Sequence, residues 1–190
     1  MIKLFYRRKV NKAVSKERLS EAKCLELLKE YQTPEHVVRH CRAVAKAAVK
    51  LAEALNKCGY DFDIDLIRGA ALIHDIARVK DEHWIVGANI ADKLGYHDEA
   101  DIIRVHMTYT MNYDVEKLTE VDMVCFGDRV VKEDKYVGLE KRMQYVMDKV
   151  KDRPEAIARI RQKTKETAVL FKAIEDKLGR TIDEVMEEER

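Results

Sequence analysis

Apolar side chains recur at steps of three and four residues along most of this chain, which is the periodicity of amphipathic α-helices. The pattern is clearest in residues 34–56, where Val37, Val44 and Leu51 share one side. His40 lies at the edge of that apolar side. The predicted helices span residues 15–31, 34–56, 82–94, 98–107, 120–131, 139–151 and 154–178. Another predicted helix follows a cap at residue 63 or 65 and carries residues 74 and 75, and a short last helix follows residue 181.

Residues that commonly begin or end helices agree with these boundaries. Thr33 and Pro34 suit the N-cap and the first helical position, because the fixed φ of proline is helical and its missing N–H is not needed there. Gly95 and Gly179 each follow an apolar stretch, where glycine often ends a helix. The run Thr-Ile-Asp-Glu at 181–184 has the spacing of a capping box and predicts a short last helix.

The composition favours long helices over many short strands. Seven glycines and two prolines in 190 residues are few turn-forming residues for a sandwich or a barrel. Together with the helical periodicity, this predicts an all-α fold, a single-domain helical bundle of about six to eight helices. We divide the chain into an N-terminal arm and helix (1–33), a helical core (34–136) and charged C-terminal helices that pack on or extend the core (137–190).

Charge, cysteine content and hydropathy argue against several classes of protein. The 36 Lys and Arg residues nearly balance 35 Asp and Glu, so the net charge of +1 does not indicate a nucleic-acid surface. The four cysteines are far apart and predict reduced thiols rather than a disulfide framework. No window reaches about 18 uncharged apolar residues, and Arg7 and Arg8 stand where a signal peptide needs its apolar run. We therefore expect a cytoplasmic protein with no membrane or nucleic-acid partner.

The histidines are confined to one part of the chain, between residues 36 and 106. His40, the neighbouring His74 and Asp75, and Asp128 each lie on or next to an apolar stripe of a different predicted helix. Such residues can meet inside a helical bundle, where an unpaired aspartate would be costly. Histidine and carboxylate are ligands that divalent metals take without cysteine, so we predict a metal site at this meeting point.

This arrangement resembles the HD-domain metal-dependent phosphohydrolases. The matching residues are His40, the His74-Asp75 pair within Leu-Ile-His-Asp-Ile-Ala-Arg, and Asp128 within Cys-Phe-Gly-Asp-Arg-Val-Val. The resemblance covers residues 34–132. It implies an HD-type helical bundle with one or two divalent metal ions, for which Fe, Mn, Mg, Ni, Co and Zn are the candidates.

The resemblance also implies roles for further residues. His83 and His106 stand where binuclear members place the ligands of a second metal, and where mononuclear members place groups for phosphate contact or proton transfer. Asp75 is the candidate catalytic aspartate, because it would bridge two metals or orient the nucleophile. Arg78 and Lys132, each one helical turn beyond a candidate ligand, are candidates for binding the substrate phosphate or are solvated helix ends.

The leading functional hypothesis is hydrolysis of a phosphate ester or anhydride of a nucleotide or related small phosphate by a metal-activated water. Within the superfamily, the six-ligand set is similar to that of the HD-class diadenosine tetraphosphate hydrolases. A di-iron HD-type oxygenase is one alternative. A non-catalytic, metal-stabilised module that senses a ligand or binds a partner is another, and the charged C-terminal helices leave a homodimer possible.

Overall fold

The computed structural model describes residues 17–110 and 112–188. Its secondary structure consists of α-helices, one 3-10 turn at Val115–Lys117 and one short antiparallel hairpin. The helices are α1 (Glu21–Glu30), α2 (Glu35–Lys57), α3 (Ile64–Ile73), α4 (His83–Lys93), α5 (His97–Val105), α6 (Glu120–Val130), α7 (Leu139–Lys149), α8 (Pro154–Leu178) and α9 (Ile182–Glu187), and the strands are β1 (Val131–Lys132) and β2 (Lys135–Tyr136). The predicted all-α fold is confirmed, with nine helices in the described ranges rather than six to eight.

Helix α2 lies at the centre of the bundle and packs against α3 on one side and α6 on another. Small side chains allow this close approach, since Ala48 and Ala52 on α2 are fully buried. Gly127 on α6 faces α2 so closely that a Cβ atom there would lie 2.8 Å from the Val44 carbonyl oxygen. The short distance between the two helices brings His40 of α2 beside Asp128 of α6.

Two helix starts differ from the prediction. Helix α1 begins at Glu21 rather than at residue 15, because Ser20 caps it by accepting a hydrogen bond from the Lys23 N–H at 3.2 Å. Thr33 does not cap α2 but donates its hydroxyl hydrogen to the Ile76 carbonyl at 2.8 Å, and Pro34 takes the cap position. The predicted N-terminal arm, up to Asn11, lies outside the described residues.

Two helix ends also differ, and both differences shape the candidate site. Helix α3 ends at Ile73, so His74 is its C-cap and Asp75 lies in the following turn rather than in the helix. Helix α6 ends at Val130, because the chain continues into the hairpin that the helical pattern did not predict. Glu133, in the hairpin turn, has a positive φ of 55°.

The C-terminal helices pack back onto the core. The predicted capping box is confirmed at Thr181, whose hydroxyl accepts from the Glu184 N–H at the start of α9. Lys50 on α2 is buried and donates to the carbonyls of Met186 and Glu188 at the end of α9. All four cysteines are free. Within the described ranges, no helix combines the length and apolarity that a bilayer crossing requires.

Candidate metal centre

Four helices bring the predicted ligands together. His40 lies on α2, His74 ends α3, His106 ends α5 and Asp128 lies near the end of α6. Ligand atoms of His40, His74 and Asp128 lie within 4.8 Å of one another. Those of His74, Asp75 and His106 form a second group at the same limit. We call these the first and second ligand groups.

Three of these histidines are oriented in the same way. The Nδ1 atoms of His40, His74 and His106 lie 2.7, 2.8 and 2.7 Å from the backbone carbonyls of Glu133, Ala71 and Ile103. A carbonyl only accepts, so in each ring Nδ1 carries a hydrogen and Nε2 faces the centre. Metal-binding histidines are held in this tautomer in the same way. The donor set therefore fits a divalent ion.

The protonation states of His74 and Asp75 also suit a metal. His74 is 1% exposed, and burial lowers the pKa of its imidazole, which favours the neutral form. Burial alone would raise the pKa of Asp75, but the nearby imidazoles of His74 and His106 outweigh it and hold that pKa well below its usual range. A neutral imidazole and an ionised carboxylate are the forms that bind metals.

His40 and Asp128 form a close pair across α2 and α6. His40 Nε2 lies 3.1 Å from Asp128 Oδ1. Burial opposes protonation of His40, but the hydrogen bond to Asp128 outweighs it and raises the pKa of the imidazole. Burial would raise the pKa of Asp128, whereas the His40 hydrogen bond and the charge of His74 hold it low. The 32% exposure of the Asp128 side chain leaves this group open to solvent.

His83 differs from the other three histidines. Its Nδ1 lies 3.3 Å from a guanidinium nitrogen of Arg78, which can only donate, so Nδ1 accepts and Nε2 carries the hydrogen. That buried Nε2 is 3.1 Å from Asp75 Oδ1 but is not aligned for a hydrogen bond. In this tautomer the Nε2 hydrogen of His83 faces Asp75, and binding a metal through Nε2 would require the other tautomer. His83 belongs to neither ligand group.

The two predicted phosphate-binding cations occupy different places. Arg78 contacts the centre directly, since its Nε lies 3.4 Å from Asp75 Oδ2. Half of its side chain is exposed, so the guanidinium can reach a bound molecule. Lys132 lies in the hairpin, and its Nζ is 4.5 Å from the centre of the Tyr145 ring. Their binding of phosphate stays a prediction.

Arg142 contacts the centre although the sequence did not indicate it. Its Nε donates to the Asp128 carbonyl at 3.2 Å, and a second guanidinium nitrogen lies 3.4 Å from Asp128 Oδ1. The residue belongs to α7, which the sequence predicts only as a charged helix. No local pattern marks Arg142, because its contact depends on how α7 packs against the end of α6.

The two ligand groups share His74, and this limits how they can be filled. Because Nδ1 of His74 is hydrogen-bonded to the Ala71 carbonyl, only Nε2 of His74 is free to bind a metal, and it can bind one ion at a time. An ion in the first group would take His40, His74 and Asp128. A second ion would then depend on Asp75 and His106, with His83 as a further ligand only after a change of tautomer.

The chain is similar to several curated proteins. An uncharacterized protein of Methanocaldococcus jannaschii is 40% identical over 84 residues, 43% of this chain and 49% of that protein. Two proteins named tRNA (cytidine(56)-2'-O)-methyltransferase, from Thermoplasma volcanium and Picrophilus torridus, are each 27% identical over 183 residues, 87% of this chain and 49% of theirs. The chain thus spans about half the length of the curated relatives it matches. No solved structure matches it.

A family model gives the broader assignment. The model described as HD domain matches residues 37–152, more than half of the chain. The match contains His40, the His74-Asp75 pair and Asp128, on which the resemblance in the sequence depends. The chain therefore belongs to the HD domain family, which is part of a superfamily of the metal-dependent phosphohydrolase type.

Proposed function

We propose that this protein is a metal-dependent phosphohydrolase that hydrolyses a phosphate ester or anhydride of a nucleotide or related small phosphate. The observation that carries the proposal is the convergence of three Nε2 atoms, from His40, His74 and His106, on two aspartates whose carboxyl pKa values are held low. When bound, a divalent ion lowers the pKa of a coordinated water and polarises a phosphoryl oxygen.

The chain's own side chains would supply the remaining chemistry. Asp75 holds its neighbours in position and stays ionised, so it orients groups rather than taking up a proton. His83 presents its Nε2 hydrogen next to Asp75 and is placed to donate a hydrogen bond to a leaving or phosphoryl oxygen. Arg78 and Arg142 flank the two aspartates and offer positive charge to phosphoryl oxygens as negative charge develops there.

The proposal predicts that Asp75→Asn abolishes phosphate release. The purified chain is assayed with mono-, di- and dinucleoside phosphates in the presence of manganese, iron or magnesium. Loss of the carboxylate charge should lower kcat/KM by about 100-fold or more, since even the partners of metal ligands commonly contribute 10–100-fold. Asp101→Asn is the matched control, because Asp101 is an exposed aspartate on α5.

Two results would contradict the proposal. One is phosphate release by Asp75→Asn at the rate of the native protein, which would place the activity elsewhere or in a contaminant. The other is no release across the whole panel by protein shown to hold metal. Metal analysis of the same samples separates the roles of His83, because two ions per chain would favour a ligand and one ion would favour a hydrogen-bond donor to the substrate.

Two further activities are tested in the same experiment. The pair of ligand groups is also compatible with two irons, and oxygen consumption by the iron-loaded protein would favour a di-iron oxygenase. Because two relatives are named as tRNA methyltransferases, the substrate panel includes short RNAs with terminal phosphates. Metal binding without turnover in any arm would favour the non-catalytic module. The homodimer and the cytoplasmic location stay predictions.

A further inference from the structure

Three cations converge on one tyrosine beside the metal centre. The Nζ atoms of Lys132 and Lys149 lie 4.5 and 4.4 Å from the centre of the Tyr145 ring. The guanidinium carbon of Arg142 lies 5.8 Å from the same point. All three distances are within the range of cation–π attraction, about 6 Å. We call Lys132, Arg142, Tyr145 and Lys149 the Tyr145 cluster.

The positive charge of this cluster is only partly neutralised. Arg142 pairs with Asp128, but among the described residues no carboxylate lies within ion-pair distance of Lys132 or Lys149. Two like charges held against one ring repel each other, and the ring offers only a weak attraction in return. Tyr145 is half-buried and Lys149 is exposed, so the cluster opens to solvent. A site of this kind favours an anion.

Arg142 joins the cluster to the metal centre. One guanidinium nitrogen lies 3.4 Å from Asp128 Oδ1, while the guanidinium carbon faces the Tyr145 ring. Helix α7 carries Arg142, Tyr145 and Lys149, and the hairpin that follows α6 carries Lys132. A molecule bound beside Asp128 is therefore close to Arg142, which contacts the same Tyr145 ring as the two lysines.

We propose that the Tyr145 cluster is a second anion subsite, which binds phosphate groups of the substrate beyond the one that reacts. This inference rests on the proposed phosphohydrolase function and narrows its substrate to a compound with two or more linked phosphates. Both lysine ammonium groups lie over the ring at cation–π distance, so the tyrosine positions them and is not a platform for a base. Six ammonium hydrogens and the guanidinium then match the many acceptor oxygens of a phosphate chain.

The kinetic test is the ratio of kcat/KM for a nucleoside triphosphate to that for the matching monophosphate. In the double variant Lys132→Gln/Lys149→Gln this ratio should fall by about 10–100-fold, because the charge-assisted contacts to the additional phosphates are lost. The control is Lys141→Gln/Lys151→Gln, which removes the same charge from exposed lysines at and just beyond the two ends of α7. Lys132→Arg/Lys149→Arg should restore the ratio. An unchanged ratio in the Gln variant would overturn the inference.

A binding measurement separates this inference from the proposed function. Calorimetry on the full chain without added metal uses tripolyphosphate and orthophosphate as probes. We expect tripolyphosphate to bind at least about 10-fold more tightly than orthophosphate, and the Gln double variant to lose that preference. Equal binding of both probes, or a preference that the variant keeps, would contradict a site for linked phosphates. If the preference is lost in the variant but the native protein releases no phosphate, the anion subsite stands and the hydrolase proposal fails.

Discussion

At the scale of single residues, Glu99 shows what an ionisable group contributes away from the metal centre. Its side chain is 1% exposed at the start of α5, and its Oε1 accepts a hydrogen bond from the Leu19 N–H at 3.3 Å. Burial raises the pKa of this carboxyl above its ordinary value of 4.5, and the hydrogen bond only partly offsets that effect. The ionised form is therefore less stable in the folded protein than in the unfolded chain.

This shift predicts a pH dependence of stability with a definite sign. When the pKa of a group is higher in the folded protein than in the unfolded chain, the group does not lower stability at pH values below its pKa in the unfolded chain. It destabilises the folded state as pH rises through its pKa in the folded protein. Glu99→Gln keeps an acceptor for Leu19 and removes the charge. The free energy of unfolding of the variant, relative to the native protein, should increase from pH 4.5 to pH 8 in urea titrations.

Asp101→Gln is the control for this measurement, because Asp101 is an exposed acidic residue on the same helix. Its stability relative to the native protein should change little over the same range. A difference between Glu99→Gln and the native protein that is constant with pH would show that Glu99 titrates alike in the folded and unfolded states.

At the scale of elements, the contact between α2 and α6 sets the distance between His40 and Asp128. Gly127 precedes Asp128, and a Cβ at this position would meet the Val44 carbonyl oxygen at 2.8 Å and the Ala48 Cβ at 3.1 Å. The backbone oxygen cannot move aside as a flexible side chain would. An added methyl group therefore has to push the two helices apart.

We expect Gly127→Ala to lower the free energy of unfolding by about 1–2 kcal/mol. Overpacking costs about 1–3 kcal/mol, and the better helix propensity of alanine returns up to about 1 kcal/mol. Urea denaturation of native and variant protein measures the difference. The variant should also bind manganese more weakly, because Asp128 moves away from His40. A variant as stable as the native protein would show that α6 shifts without loss of packing.

At the scale of the whole molecule, the ligand groups connect segments that are distant in sequence. The first group joins α2, the end of α3 and α6, and the second adds the end of α5. An ion that binds these groups only when they are assembled must stabilise the folded state. The gain follows RT ln(1 + [L]/Kd), about 2.7 kcal/mol at 100 times Kd.

Thermal unfolding with and without manganese tests this coupling without reference to activity. The melting temperature of the native protein should rise with metal concentration. Asp128→Asn, which keeps the shape of the side chain, should lose most of that rise, whereas Asp101→Asn should keep it. A native protein whose melting temperature is independent of every metal tested would argue against a site formed by the fold.

Much of this architecture could be predicted locally. The period of three and four residues located the helices, and Thr181 and Gly179 marked the boundary between α8 and α9 because caps act within a few residues. The predicted start of the first helix was wrong, since the residue types of Ser15 and Ser20 are equally suited to an N-cap. The hairpin after α6 was missed because its short strands carry no periodic pattern of their own.

The sequence by itself determined the family, the helical class and which histidines and aspartates are candidates, since these depend on residue type and on spacing within a helix. Only the tertiary structure decided how those candidates are used. His40 receives its orientation from the Glu133 carbonyl, 93 positions away, and Asp128 meets Arg142 only because α7 folds back on α6. His106 joins a ligand group whereas His83 turns toward Arg78. The orientation of His40 and the pairing of Asp128 with Arg142 depend on hydrogen bonds between separate elements, which packing alone brings within reach.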